Sequence, residues 1–221
     1  MPLHLIPVPI HLVLIAIYLV ARNRNDLKKT AIIQPVATFV AMLIAALSFF
    51  SPQADTSYTI WILIGMGLCF LADIFNIDMT NDKILYAAIG AFVIAYLEYA
   101  ITFTRFNGFQ RQDLLVAVIF ILIYIFLMRL YWKGLGNFKI PILIYGLVMP
   151  FMVTRAISTL FGSSFSLLSA ILVTVGCTML FLGDIEYGMH RFRQPLKFFF
   201  GPICYAGGQL LIALSCAYFL L

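Results

Sequence analysis

Two copies of one pentad, Phe-Leu-[Ala/Gly]-Asp-Ile, contain the residues of this chain best suited to chemistry. Residues 70–74 and 181–185 each end a long apolar run, and each contains an aspartate, Asp73 or Asp184. A charged side chain at the centre of a membrane-spanning helix costs about 2.5–3.5 kcal/mol on insertion scales. One such residue could be tolerated by chance, but two in matched settings predict one site built from both. Two carboxyl groups at one site suit proton transfer.

The other reactive side chains suggest less. Four cysteines lie inside apolar runs, and their spacing matches neither a zinc site nor a disulfide framework, so we expect buried free thiols. No zinc-binding or nucleotide-binding pattern occurs, so we expect no metal and no cofactor. Glu98 is a third acid inside an apolar run, and we expect it to line a cavity because burying it alone is costly.

The composition predicts that these acids lie inside a membrane protein. The chain has 221 residues, of which 10% are charged, and its mean hydropathy is +1.04. Soluble domains carry about 25% charged residues, so we predict an all-α, polytopic membrane protein, with residues 1–221 forming a single integral domain. About eight apolar runs are long enough to span a bilayer, at 3–20, 31–50, 58–76, 84–103, 114–132, 140–157, 165–183 and 198–220.

The uneven distribution of basic residues predicts the orientation of the chain. The loops after spans 1, 3, 5 and 7 hold most of the 14 Lys and Arg residues, namely Arg22, Arg24, Lys28, Lys29, Lys83, Arg129, Lys133, Lys139, Arg191, Arg193 and Lys197. The opposite side holds Arg105, Arg111 and Arg155. The positive-inside rule therefore predicts non-cytoplasmic termini and a site toward the cytoplasmic side of a bacterial inner membrane or its equivalent. The net charge of +5 reflects this topology, and we expect no nucleic-acid partner.

The pentads also suggest an internal repeat. The aspartates lie four spans apart, and the spans that follow them begin alike, with Tyr86-Ala-Ala-Ile-Gly90 and Tyr205-Ala-Gly-Gly-Gln209. This pattern predicts two four-helix repeats, residues about 1–110 and 111–221, related by an approximate two-fold axis along the membrane normal. We then expect the site between the halves. A chance resemblance between short apolar segments is the alternative.

Several motifs are dispersed from span 2 to span 8. They are a glycine-bearing helix ending in Asp73, Phe92-x-x-Ala-Tyr96-x-x-Tyr99, Tyr145 with Met152, Gly183-Asp184 followed by Arg191-Phe192, and Tyr205-x-x-x-Gln209. By these motifs the chain resembles the YhhN family of multi-span membrane proteins, whose members include the transmembrane lysoplasmalogenases. It departs from the family pattern where Ala72 replaces glycine, Tyr96 histidine, Gly183 serine and Gln34-Pro35 a Lys-Pro pair. We expect these departures to bear on substrate preference more than on reaction class.

The resemblance implies a membrane-embedded ether hydrolase. A lysoplasmalogenase cleaves the vinyl ether bond of an alkenyl-glycerophosphocholine or alkenyl-glycerophosphoethanolamine and releases a fatty aldehyde and a glycerophospho-base. Protonation of the distal alkene carbon gives an oxocarbenium ion, water attacks that cation, and the hemiacetal collapses. One aspartic acid can donate the proton while the other, ionised, stabilises the cation and activates water. The roles of Asp73 and Asp184 stay open, although the more apolar flank of Asp73 favours it as the acid.

The resemblance and the positions of polar residues also imply contacts to the lysophospholipid. Besides the catalytic aspartates, the candidate substrate-binding residues are Tyr96, Glu98, Tyr99, Tyr145, His190, Arg191, Tyr205 and Gln209. Each tyrosine could orient the aspartates or simply pack, Arg191 could bind phosphate or anchor the helix, and His190 could be a solvated loop residue. The expected partners are the lysophospholipid, water and membrane lipids, and nothing in the sequence indicates an oligomeric state.

Two other classes of protein fit part of this pattern. Intramembrane acids, an internal repeat and prolines within spans are also traits of a small proton-coupled membrane transporter. Carrier sites usually lie near the membrane midplane, however, whereas both aspartates lie near the inner ends of their predicted spans. A non-catalytic scaffold is the third reading, but it leaves the two buried acids without a purpose.

Overall fold

The computed structural model of the protein describes residues 2–76, 81–193 and 199–220. Within these ranges the chain is helical and contains no strand, which confirms the predicted all-α class. The α-helices are α1 (Val8–Asn23), α2 (Leu27–Leu47), α3 (Thr56–Phe75), α4 (Asp82–Asn107), α5 (Asp113–Tyr131), α6 (Lys139–Ser158), α7 (Leu167–Phe192) and α8 (Gly201–Ser215).

The lengths of these helices confirm a multi-pass membrane protein. Among the described residues, seven segments are long and apolar enough to cross a membrane; they are α2 to α7 and α1 together with the 3₁₀ turn before it, Leu3–Asn23. The last helix, α8, has 15 residues and continues into a 3₁₀ turn, Cys216–Tyr218. At about 1.5 Å per α-helical residue and about 2 Å per 3₁₀ residue, α8 and its turn together reach about 28 Å, close to the hydrocarbon thickness of about 30 Å.

Polar side chains fix where several helices begin. Asp26, Asp55, Asn81 and Ser166 precede α2, α3, α4 and α7, and each accepts a hydrogen bond from a backbone N–H of the first turn. Such caps satisfy N–H groups that have no partner inside the helix. The prolines within spans do not prevent helix formation, since Pro35 lies inside α2 and Pro150 inside α6.

The seventh helix is longer than the sequence predicted. We expected span 7 to end at residue 183, but α7 continues to Phe192. Its 26 residues reach about 39 Å, so its last turns extend beyond a hydrocarbon layer of about 30 Å. Those turns are held by protein contacts, because Tyr131 donates a hydrogen bond to the carbonyl of Ile185 and Gly201 N–H donates to Glu186. Hydropathy alone could not anticipate such contacts.

The same helix pairs are in contact in the first and in the second half of the chain. Contacts join α1 to α2, α2 to α3 and α3 to α4, as they join α5 to α6, α6 to α7 and α7 to α8. Across the halves, α2 packs on α8 and α4 packs on α6. Exchanging the halves converts each of these pairs into another, as a duplicated unit would, but α1 also packs on α8 without an equally extensive contact between α5 and α4. The duplication itself stays a prediction.

Close helix contacts surround the region of the aspartates. A Cβ atom on Gly65 would collide with the side chains of Glu98 and Tyr99 on α4. A Cβ atom on Gly176 of α7 would lie 2.9 Å from the carbonyl oxygen of Gly208 on α8. Glycine therefore permits the α3–α4 and α7–α8 pairs to approach closely, as small residues do between membrane helices.

The end of the bundle away from the aspartates is filled by side chains. Arg155, which is 1% exposed, forms an ion pair with Asp113 and donates to the carbonyl of Gly108 and the hydroxyl of Thr104. An aromatic cluster of Tyr58, Phe106, Phe165 and Phe219 packs in this half of the bundle. This end therefore has a buried ion pair and aromatic packing, whereas the other end contains a large cavity.

Candidate active site

A cavity of about 760 Å³ lies at the end of the bundle where odd-numbered helices finish and even-numbered helices begin. Residues near those helix ends line it, including Arg22, Lys28, Asn76, Leu85, Phe192 and Gly201. Most of the wall is apolar and comes from α2, α4, α5, α6 and α7. Among the described residues of the wall, the carboxyl groups of Asp184 and Glu186 interrupt this apolar surface. The basic residues from the predicted inner loops lie at the same end.

Asp184 is half-buried in the cavity wall and is held by two phenols. Its Oδ2 accepts hydrogen bonds from Tyr96 on α4, at 2.8 Å, and from Tyr145 on α6, at 2.7 Å. Within the described ranges, no donor contacts Oδ1. Both hydrogen bonds therefore converge on one oxygen and leave the other available to a molecule in the cavity.

Asp73 has a more enclosed environment and is 1% exposed. Its Oδ1 accepts hydrogen bonds from the Gln34 amide at 2.6 Å and from the Tyr205 hydroxyl at 2.8 Å, while Oδ2 accepts from Thr38 at 2.5 Å. The Gln34 oxygen in turn accepts from Tyr18 at 2.8 Å, which fixes the orientation of the amide. Three donors thus hold this carboxylate, since a buried charge must be compensated by hydrogen bonds.

A chain of side chains connects the two aspartates. Gln34 and Tyr205, which donate to Asp73, line the cavity, although Asp73 itself does not. Phe92 also lines the cavity, and its ring lies 6.0 Å from the ring of Tyr205 and 5.9 Å from that of Tyr96. Asp73 therefore adjoins the cavity through Gln34 and Tyr205, whereas Asp184 faces it directly.

Three of the predicted binding residues form a separate buried layer. Tyr99 donates to the Gln209 oxygen at 3.3 Å, and Glu98 accepts from Thr102 at 2.7 Å. None of Glu98, Tyr99 and Gln209 lines the cavity, so the expectation that Glu98 would do so was wrong. Glu98 packs instead against Gly65, in a space that exists because position 65 has no side chain. Tyr145 and Tyr205 do line the cavity, and Tyr96 reaches it by holding Asp184.

His190 and Arg191 lie on α7 rather than on a loop. The His190 ring stacks on Phe199 with a centroid distance of 3.7 Å, and its Nε2 lies 3.0 Å from Glu186 Oε1. The suggestion of a solvated loop histidine was therefore wrong, because α7 continues beyond Asp184. Arg191 is exposed and does not line the cavity. Lys197, another predicted inner-side cation, lies outside the described residues.

Several residues that the sequence had not indicated are brought to the site by the fold. Thr38 lies one helical turn after Gln34 on α2, and this spacing explains how both reach Asp73. Arg22 and Lys28 line the cavity, although we had counted them as topological signals alone. One feature of the sequence could have indicated that α2 contributes to the site. At Gln34-Pro35 an amide stands where the family pattern has a lysine.

The structure also bears on the other reactive groups. Cys69, Cys177, Cys204 and Cys216 are free, and all but Cys204 are buried, in agreement with the predicted unpaired thiols. In the part of the chain that the structure describes, no group of three His, Cys, Asp or Glu side chains is arranged to hold a metal. Carboxyl, phenol and amide groups line the cavity, and such groups suit general acid–base catalysis.

Fold and site together define a multi-pass helical membrane protein with a carboxyl group in the wall of a large apolar cavity. The sequence model of the YhhN family matches residues 29–216, which is most of the chain. The protein therefore belongs to the YhhN family, as the motifs predicted. Comparisons with curated proteins and with solved structures gave no match.

Proposed function

We propose that this protein is a lysoplasmalogenase, a membrane hydrolase that cleaves the vinyl ether bond of alkenyl-glycerophosphocholine or alkenyl-glycerophosphoethanolamine. The observation that carries the proposal is the cavity of about 760 Å³, apolar over most of its wall, with Asp184 facing into it. Membership of the YhhN family supports it, because lysoplasmalogenases belong to that family.

The cavity suits a substrate with one hydrocarbon chain and a polar head. Its volume lies within the range of about 300–1,000 Å³ for small-molecule pockets. Ile89, Leu127, Ile142 and Phe181 provide an apolar wall for the chain, while charged residues stand near the helix ends. A lysophospholipid from the surrounding membrane would bury its chain among the helices and keep its head group near the basic loops.

Asp184 would supply the proton in the first step. Tyr96 and Tyr145 both donate to Oδ2, so a proton on the carboxyl group belongs on Oδ1, the oxygen available to the cavity. Transfer of that proton to the distal alkene carbon breaks the carbon–carbon π bond and produces an oxocarbenium ion beside a newly ionised Asp184. The two phenols then stabilise the carboxylate, which favours the transfer.

The same carboxylate would assist the second step. Water adds to the carbon of the oxocarbenium ion and gives up a proton to Asp184, producing a hemiacetal and restoring the acid. In the collapse of the hemiacetal, its hydroxyl proton passes to the glycerol oxygen, the bond to that oxygen breaks, and the aldehyde and the glycerophospho-base are released. Retaining glycosidases use one carboxyl group as acid and then base in the same way.

Asp73 would act as a positioning residue with a fixed negative charge. It does not line the cavity, but it holds Gln34 and Tyr205, which do. Its charge would favour a cation in the cavity because Coulomb interactions are stronger in a medium of low dielectric constant. This assignment differs from the sequence-based preference for Asp73 as the acid.

The distribution of charge supports a cytoplasmic opening for the cavity. Arg22 and Lys28 line the end of the cavity that carries the basic loops, and the positive-inside rule assigns those loops to the cytoplasm. We expect epitope tags at either terminus to be accessible from the non-cytoplasmic side, and a tag inserted between residues 133 and 139 to be protected. The reverse labelling would contradict this orientation.

The direct test is aldehyde release by the purified protein. In detergent or lipid nanodiscs, an alkenyl lysophospholipid should yield a free fatty aldehyde and a glycerophospho-base in equal amounts. The saturated alkyl-ether analogue is the matched control, since it has no alkene carbon to protonate and should remain intact. Absence of aldehyde from a folded protein that binds the alkenyl lipid would contradict the hydrolase proposal.

A small proton-coupled transporter is the second candidate, and one observation favours it. The cavity lies at one end of the bundle while Arg155 and the aromatic cluster fill the other, which resembles one state of an alternating-access carrier. Transport predicts lipid or solute movement across a vesicle membrane without chemical change. Aldehyde release in the absence of transport favours the hydrolase, and transport without cleavage favours the carrier.

A further inference from the structure

The mouth of the cavity contains two cationic side chains suited to binding phosphate, those of Arg22 and Lys28. Glu186 and Phe199 lie beside them. All four residues line the cavity. We infer that Arg22 and Lys28 bind the phosphodiester of a single-chain phospholipid, and this inference rests on the proposed function for the position of the reacting bond. Arg191, which the sequence suggested for this role, does not line the cavity.

Arg22 lies on a preformed support. Its guanidinium carbon is 4.6 Å from the centre of the Phe199 ring, and the His190 ring stacks on Phe199 at 3.7 Å. The Asn23 side chain fixes the Phe199 backbone, because its amide donates to the Phe199 carbonyl and its oxygen accepts from the Phe199 N–H, both at 2.9 Å. A cation held in this way loses little side-chain freedom when it binds an anion.

The charges at the mouth leave Arg22 and Lys28 available to an anion. The nearby carboxylate of Glu186 already accepts from Gly201 N–H at 2.6 Å and lies 3.0 Å from His190. Within the described part of the chain, neither Arg22 nor Lys28 forms an ion pair with a carboxylate. Arginine and lysine at a cavity mouth are the side chains that bind phosphate, arginine through two parallel hydrogen bonds.

Two residues at the mouth, Glu186 and His190, lie close to Asp184 along α7. Glu186 and His190 follow Asp184 on α7 by two and six residues, which corresponds to about 3 and 9 Å along the helix axis. In a lysoplasmalogen, the length of a glycerol backbone separates the phosphate from the vinyl ether bond. A phosphate beside Arg22 would therefore place the alkene near Asp184 and direct the chain into the apolar part of the cavity.

Binding of two uncleavable lipids tests the inference without depending on catalysis. One is the saturated alkyl-ether lysophosphocholine, and the other is the alkyl glycerol with the same chain and no phosphate. Arg22→Gln should weaken binding of the phospholipid about tenfold, and Lys28→Gln about threefold, with binding of the alkyl glycerol unchanged. Arg24→Gln and Lys29→Gln remove the same charge from exposed neighbours that do not line the cavity, and should alter neither affinity.

Two results would overturn the phosphate site. One is an equal loss of affinity in Arg22→Gln and Arg24→Gln, which would indicate general surface charge. The other is an equal loss for both lipids, which would indicate apolar packing. Lys28→Gln changes an exposed side chain, so it keeps the test decisive if Arg22→Gln fails to fold.

Two further measurements answer separate questions. One shows whether the mouth binds a lipid phosphate or a free phosphate, and the other shows whether the phosphate site and the hydrolase proposal fail independently. Excess inorganic phosphate should not displace the alkyl-ether lipid, because the chain supplies much of the binding energy; displacement would assign the mouth to a free anion. Arg22-dependent binding without aldehyde release from the alkenyl lipid would reject the hydrolase and retain the phosphate site. Aldehyde release that is insensitive to Arg22→Gln and Lys28→Gln would reject the phosphate site and retain the hydrolase.

Discussion

Asp73 accepts hydrogen bonds from one amide and two hydroxyl groups and is 1% exposed, whereas Asp184 accepts from two phenols and faces a cavity. Each aspartate is nevertheless the eighteenth residue of its helix, α3 or α7. The two aspartates therefore occupy the same position in similar motifs but have different neighbours. The difference lies in the facing helices, since α2 contributes Gln34 and Thr38 to one aspartate and α6 contributes Tyr145 to the other.

Each aspartate also receives a phenol from the opposite half of the chain. Tyr205 on α8 donates to Asp73 on α3, and Tyr96 on α4 donates to Asp184 on α7. Each aspartate is therefore held partly by its own half and partly by the other, while the duplication and the shared site stay predictions. One aspartate is enclosed by three donors while the other keeps an oxygen at the cavity, and two carboxyl groups in different surroundings can take different roles.

The largest effect should come from Asp184, and Asp73 should have a smaller one. Asp184→Asn keeps the shape of the side chain but removes the proton donor, so kcat should fall by about 10²–10⁴-fold. Asp73→Asn should lower kcat about tenfold, because Asp73 acts through Gln34 and Tyr205. The double variant should be close to Asp184→Asn alone, since groups that act as a unit are not additive. Aldehyde release from the alkenyl lipid measures all three rates.

Thermal unfolding provides the control for these variants. Asn keeps the shape of Asp, so both variants should stay folded, and Asp73→Asn should have the lower unfolding temperature because its amide NH2 leaves a donor without an acceptor. If folded Asp73→Asn lost as much activity as Asp184→Asn, or more, the assignment of Asp184 as the proton donor and Asp73 as the positioning residue would be reversed. Full activity in both variants would reject aspartate catalysis.

Removing a phenol hydroxyl that donates to an aspartate should have an intermediate effect on kcat, and the effect should be larger at Asp184 than at Asp73. Tyr145→Phe removes one of the two donors to Asp184 and should lower kcat about tenfold, which corresponds to about 1.4 kcal/mol for a hydrogen bond to a charged group. Tyr205→Phe removes one of three donors to Asp73 and should lower kcat about threefold. Both variants keep the aromatic ring, so their unfolding temperatures should change little. A larger loss from Tyr205→Phe would mean that Asp73 is the more directly involved carboxyl group.

The smallest effect should come from Tyr18, which contacts Asp73 only through Gln34. Tyr18→Phe leaves the Gln34 oxygen without its donor and should cost about 1 kcal/mol in stability, with a change in kcat of about twofold. Tyr86→Phe is the matched control, because the Tyr86 hydroxyl donates to the Asn137 carbonyl, at an exposed position that does not line the cavity. A Tyr18→Phe variant as inactive as Asp184→Asn would show that the Asp73 environment controls the chemistry.

The sequence by itself determined the membrane class, the helices and the two aspartates. Apolar runs of about 20 residues must become helices in a bilayer, because backbone groups there can be satisfied only within the chain. The cost of burying acids identified Asp73 and Asp184, and the family motifs added Tyr96, Tyr145 and Tyr205, each of which donates to one of them. These inferences depend on composition and local spacing, which a sequence contains.

Tertiary structure alone decided which groups face each aspartate and which reach the cavity. Glu98, Tyr99 and Gln209 had the same standing in the sequence as Tyr145, yet helix packing places them in a separate layer. Arg22 and Phe199 meet at the cavity mouth although most of the chain separates them. The physical reason is that the rotation of each helix about its axis is set by packing against its neighbours, and hydropathy contains little information about that rotation when helices are apolar on every side.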